Sequence, residues 1–161
     1  MATKAQTQIP SHPSSPLPEV VMQQLFEAHR HRVFSLCSLL VVEAGLAETL
    51  TRSVFAQAMQ GALPLTQDAF DSQVVMQSRT LAEYSARASQ TKNLPTGADD
   101  ARLRRAIHAL PAAERLLWVM HDVGGVPMER LCTLLHLGAA ESFRRLGRAR
   151  LQILEQISNS P

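Results

Sequence analysis

Apolar residues recur at helical spacing along most of the chain, in blocks separated by Pro, Gly and polar stretches. Between residues 19 and 43 they fall at Val21, Leu25, Ala28, Val33, Phe34, Leu36 and Leu40, and Gly45 closes the run. A second block, about 46–62, sets Leu50, Val54, Phe55 and Ala58 on one side and stops at "GALP". A third, about 66–88, repeats the pattern with Phe70, Val74, Leu81 and Tyr84. The stretch "SQTKNLPTGADD" (89–100) has the composition of a linker. Beyond it, "ARLRRAIHALP" predicts a helix closed before Pro111, and "AAERLLWVMHDV" predicts one ended by Gly124-Gly125 in left-handed geometry. "MERLCTLLH" predicts a short helix with Pro127 at its first position, and a longer helix follows behind Gly138 as N-cap. No stretch alternates with period two, so no strand is expected. The pattern therefore predicts an all-α fold of two small helical domains, 19–88 and 101–158, joined by the 89–100 linker. The Pro- and Ser-rich residues 1–18 read as a disordered tail.

Composition adds little until charge is placed along the chain. The 161 residues carry a net charge of +2 and are 45 % hydrophobic but only 4 % aromatic, which suits aliphatic helix packing. Residues 1–100 hold 7 Lys and Arg against 9 Asp and Glu, whereas residues 101–161 hold 9 against 5. A basic C-terminal segment beside a faintly acidic body points to a polyanion partner, although solvated surface charge gives the same imbalance. Cys37 and Cys132, each beside leucines, read as small buried thiols, and neither belongs to a CxxC metal site. The histidines show no ligand spacing, so no metal or other cofactor is expected. The longest apolar run, "LCSLLVV", is far shorter than the ~20 residues of a membrane span, and no secretory signal opens the chain. A soluble, cytoplasmic protein without membrane insertion is expected. No nucleophile–base pair or phosphate-cradling loop is visible, so enzyme activity is not expected.

The last helix carries the most specific local pattern, "GAAESFRRLGRARLQIL" (138–154). At about 100° per residue from Arg144, Arg148 lies at about 40°, Glu141 at about 60° and Arg145 at about 100°. Leu146, Ile153, Ile157, Phe143 and Leu154 fall at about 180–280°, on the opposite side. Arg150, at about 240°, sits inside that apolar arc and is expected to snorkel or to pair with a carboxylate. A short helix, a tight turn at Leu137-Gly138 and an Arg-rich helix make helix-turn-helix order, in which the second helix enters the major groove. The competing reading is an amphipathic helix with a solvated basic face and a Glu141–Arg145 pair. Trp118, in an aliphatic helix, reads as core.

From Leu103 onward, "LRRAIHALPAAERLLWVMHDVGGVPMERLCTLLHLGAAESFRRLGRARLQIL" resembles region four of the extracytoplasmic-function group of bacterial sigma factors. Leu110-Pro111, Arg115, Asp122-Val123, Gly125, Glu129, Leu135, Arg145-Leu146 and Arg148-Ala149-Arg150 fall in register without a gap. More faintly, "LFEAHRHRVFSLCSLL" and "AETLTRSVF" resemble region two. The resemblance implies a sigma factor that directs transcription initiation, with core RNA polymerase and the minus-35 promoter element as partners and an anti-sigma factor as a further one. It places DNA contacts at Ala139, Ala140, Glu141, Ser142, Arg144, Arg145 and Arg148, and polymerase contacts at Glu48, Thr49, Arg52 and Ser53. Ser142 and Arg144 are expected to face outward towards base edges, while Arg145 and Arg148 hold phosphates. Glu141 is expected either to cap the helix N-terminus or to accept from a cytosine amino group.

The departures from that pattern define an alternative. Thr49, Arg52 and Ser53 stand where the family has an acid, a Gln and a Glu, and like charges would then oppose a basic partner at Arg52. The stretch matching the promoter-melting segment offers only Phe70 and Tyr84 for stacking on bases, with Asp68 and Asp71 beside Phe70. Glu141-Ser142-Phe143 replaces Thr-Val-Lys at the start of the recognition helix. A sigma-like regulator or protein-interaction module that no longer directs initiation is the second reading.

Overall fold

A computed structural model describes residues 19–60, 66–85 and 98–158, all helices and short turns. The helices are α1 (Glu19–Leu40), α2 (Ala44–Met59), α3 (Gln67–Ser85), α4 (Ala98–Ala109), α5 (Ala112–Trp118), α6 (Met128–Leu135) and α7 (Ala139–Ser158). A π-helical turn, Val119–Val123, continues α5. Among the described residues no helix is long and apolar enough to cross a membrane. The tail at 1–18, most of the predicted linker, and the side chains of Ala58, Leu81 and Tyr84 lie outside the described residues.

Local chemistry sets the helix ends. α1 stops at Leu40 rather than at Gly45, because the Glu43 carbonyl already accepts from Leu46 and Ala47 and so starts α2. Gly45 consequently lies inside α2, in its first turn. Thr66 caps α3, its hydroxyl accepting from the Ala69 amide at 3.3 Å. Val21 and Phe34, expected on the buried face of α1, are partly exposed, while Val33, Leu36, Cys37 and Leu40 are buried.

The predicted single helix 112–123 changes register at Val119. The Gly124 amide reaches the Val119 carbonyl at 2.8 Å, an i to i+5 bond that widens the turn. A Cβ on Gly124 would stand 2.6 Å from the Met120 carbonyl oxygen, so only glycine fits. Gly125 follows at φ +68°, the left-handed conformation that the pattern predicted for this pair. Pro127 stands at the N-cap of α6, one position before the expected site.

The helices share one core. Leu36, Cys37 and Leu40 of α1, Leu50 and Val54 of α2, and Phe70 and Val74 of α3 are continuous with Ile107, Leu117, Met120, Leu131, Leu146 and Ile153. Arginines fasten the first three helices to the last four. Arg32 donates to both carboxylate oxygens of buried Asp71, at 3.1 and 2.9 Å, and to the Gly124 carbonyl at 2.6 Å. Arg115 donates to the carbonyls of Leu40 (3.0 Å), His108 (3.1 Å) and Leu110 (3.0 Å). Arg79 reaches the Leu134 carbonyl at 3.2 Å, and Arg130 holds the Asp68 carboxylate and the Ser72 hydroxyl. Apolar residues cement the interface, and these charge-assisted bonds fix its register.

Two titratable groups sit at this seam, Cys37 buried and His108 half-buried. Burial pushes the Cys37 thiol up to about 11, leaving it protonated and unreactive. Burial, and then the Arg115 charge, push His108 below its ordinary value of 6.5. The unfolded chain therefore takes up a proton that the folded chain refuses, so this contribution is whole above about pH 7 and fades as pH falls through 6.5. The slope is at most about 1.4 kcal/mol per pH unit. Thermal unfolding at pH 5, 6 and 7 should show a decline towards acid that His108→Gln flattens; an equally steep decline in the variant would assign it to other groups.

Candidate nucleic-acid interface

α6 and α7 form the helix-turn-helix, and the turn between them is built at His136. His136 is left-handed, with φ 53°, and the Leu137 amide returns to the Cys132 carbonyl at 3.0 Å to close α6. The connection runs from His136 through Leu137 and Gly138, so it includes the expected Leu137-Gly138 turn and begins one residue earlier. Gly138 caps α7, its carbonyl accepting from the Ser142 amide at 3.0 Å, as expected.

α7 packs on this frame through Ser142, Leu146, Ala149 and Ile153, all buried. Leu146 and Ile153 match the expected inner face, whereas Ile157 is 38 % exposed, beyond the end of the supporting core. Ser142 was expected outward and is fully buried, its hydroxyl accepting from the Cys132 thiol at 3.3 Å. The reason is angular: Ser142 lies at about 160° from Arg144, within the core arc, and a small residue there lets α6 approach closely. It offers nothing to a base edge. Trp118 is half-buried against the core, as the sequence suggests, and Cys132 is half-buried rather than buried.

Of the other residues expected to meet DNA, Glu141, Arg144, Arg145 and Arg148 share an outer edge. Ala139 and Ala140 are exposed at the start of α7, followed by exposed Arg144 and Arg148 and half-exposed Arg145 and Glu141. The edge is internally paired. Glu141 gives one oxygen to Arg144 at 2.8 Å and the other to Arg145 at 2.7 Å, so the carboxylate serves its own arginines. The Arg145 bond, foremost, holds the Glu141 carboxyl below the usual carboxylate range, and Arg145 is raised in return. Arg148 reaches Glu114 of α5 at 3.3 Å. Glu114 escaped the sequence reading because a separation of 34 residues leaves no periodic signal. Arg150 takes the predicted carboxylate, a two-pronged pair with Asp122 at 2.8 and 2.6 Å that pins α7 to the π turn.

The residues expected to contact polymerase lie on α2. Glu48, Thr49 and Arg52 are exposed, with Arg52 3.4 Å from Glu48. Thr49 donates back to the Gly45 carbonyl at 2.8 Å, and Ser53 donates sideways to the Gln77 side chain at 3.2 Å. Phe70, offered by the sequence for base stacking, is buried between the rings of His29 and Phe55 and cannot reach a base from this position. Among the described residues, no group of His, Cys, Asp and Glu side chains is placed to hold a metal ion.

The architecture is similar to a solved one. The sigma factor RpoE from Bartonella quintana, in a structure with the anti-sigma factor NepR, superposes with a TM-score of 0.71. The match covers 88 % of this chain and 99 % of that one, at 13 % sequence identity. No protein-family profile and no curated protein matches the sequence. The chain thus has the all-helical fold of a sigma factor.

Proposed function

We propose that this chain is a sigma-factor-like regulator of transcription that acts in the cytoplasm. α7 contacts promoter DNA near the minus-35 element, and the exposed face of α2 docks on core RNA polymerase. The observation that carries this reading is the edge of Arg144, Arg145 and Arg148 on the second helix of a helix-turn-helix, within a sigma-factor fold. By analogy with the RpoE structure, its further partner is an anti-sigma factor. No catalysis is proposed.

Two observations favour a narrower role, in which the chain binds its partners without directing initiation. Phe70 is buried, and each recognition-edge arginine already has a carboxylate within the chain. Run-off transcription with purified core polymerase, paired with co-purification, separates the two. Promoter-dependent transcripts establish initiation, and a stable complex without transcripts establishes the narrower role. Neither transcript nor complex would overturn the polymerase assignment.

A further inference from the structure

The helix proposed to meet DNA has a second exposed face that the DNA reading does not use. Phe143 (55 % exposed), Leu151 (62 %) and Leu154 (61 %) line it, although the sequence pattern counted Phe143 and Leu154 with the core. They lie at about 260°, 340° and 280° from Arg144, an arc between the core face and the arginine edge. Gly147, at about 300°, sits in the middle, and nothing stands within 4 Å of where its Cβ would be. An uncovered stripe of large apolar side chains on one helix marks a contact surface.

We infer that this stripe pairs with the same stripe of a second copy, with the two α7 helices antiparallel. The fit is self-complementary. A two-fold axis beside Ala149 sets residue 147 of one copy opposite residue 151 of the other, so each Leu151 enters the gap left by the partner's Gly147. The same axis brings residue 144 within one helical step, about 1.5 Å along the helix, of residue 155 of the other copy. Arg144 at 0° and Glu155 at about 20° lie on the same flank of the stripe, and in an antiparallel pair same flanks meet. Arg144 bonds Glu141 through one guanidinium nitrogen and keeps its other donors, so two Arg144–Glu155 ion pairs bracket the apolar seam, whereas a parallel pair would set each flank against the other's opposite side. Glycine at the crossing also lets the helix axes approach closely. Three large apolar side chains per copy fall short of a standard interface, so the pairing is weak. Pairing covers Arg144, so a second copy and DNA compete for this helix.

Sedimentation of the full chain without DNA, from about 1 to 200 µM, covers the range of a weak association and is read independently of any DNA or polymerase contact. A monomer–dimer equilibrium is expected for the native chain, and Leu154→Glu should hold it monomeric throughout. Arg144→Glu and Glu155→Arg should each weaken pairing roughly tenfold, and the double exchange should recover most of that loss. Circular dichroism of each variant checks that α7 is retained. A native chain that stays monomeric at 200 µM, a dimer indifferent to Leu154→Glu, or a double exchange no better than the single changes would each overturn the proposal.

Discussion

Replacing Arg115 with Ala should cost about 3 kcal/mol of stability, the largest single-residue effect expected outside the apolar core. Its guanidinium donates to three carbonyls where α1, α4 and α5 meet, two of them at helix ends. Truncation would leave the Leu40, His108 and Leu110 carbonyls short of a donor in a half-buried place, at about 1 kcal/mol each or more. Burial lowers the Arg115 pKa without removing its charge at neutral pH, so the fork stays fully protonated. Arg115→Lys should recover less than half, because one ammonium cannot span three acceptors in a fixed fork. Urea unfolding of the three proteins reads this directly. A loss below about 1 kcal/mol in Arg115→Ala would mean that water replaces the fork without cost.

Arg115 also illustrates what the sequence could and could not disclose. Its position in a region-four-like register was legible, but the pattern could not say that it acts as a pin between helices. The same holds for Arg32, whose acceptors Asp71 and Gly124 lie 39 and 92 residues away. Helix number, order and type were legible because the period of apolar residues records which face meets a core. The Arg150–Asp122 pair was half legible: a cation stranded in an apolar arc demands an anion, but not a particular one. The errors cluster where packing overrides a local rule. Ser142 is polar yet small enough to fill a close α6–α7 contact, so residue type misled where angle would not have. Phe143 and Leu154 are apolar yet uncovered, because the core arc of α7 is narrower than its apolar arc. The π turn at Val119–Val123 shifts register inside a sequence that reads as one continuous helix.

The second large effect is a gain. Glu141 holds two of the three arginines proposed to meet DNA, so it competes with DNA for them. Glu141→Gln should release Arg144 and Arg145 and tighten DNA binding by roughly three- to tenfold at low salt. Arg145→Ala and Arg148→Ala should weaken binding to every sequence and lower the salt slope by about one counterion each. Arg144→Ala should relax preference at one or two base pairs. If Glu141 instead accepted from a base, its removal would weaken binding to the preferred site and leave other sequences unchanged.

Fluorescence anisotropy of a labelled promoter duplex and its scrambled counterpart, titrated at about 50 and 200 mM salt, tests DNA contact by α7 most directly. The account predicts salt-sensitive binding by the native chain, tighter binding by Glu141→Gln, and weaker, less salt-sensitive binding by Arg148→Ala. Identical curves for all three proteins would contradict it and leave the arginine edge as the solvated side of a packed helix.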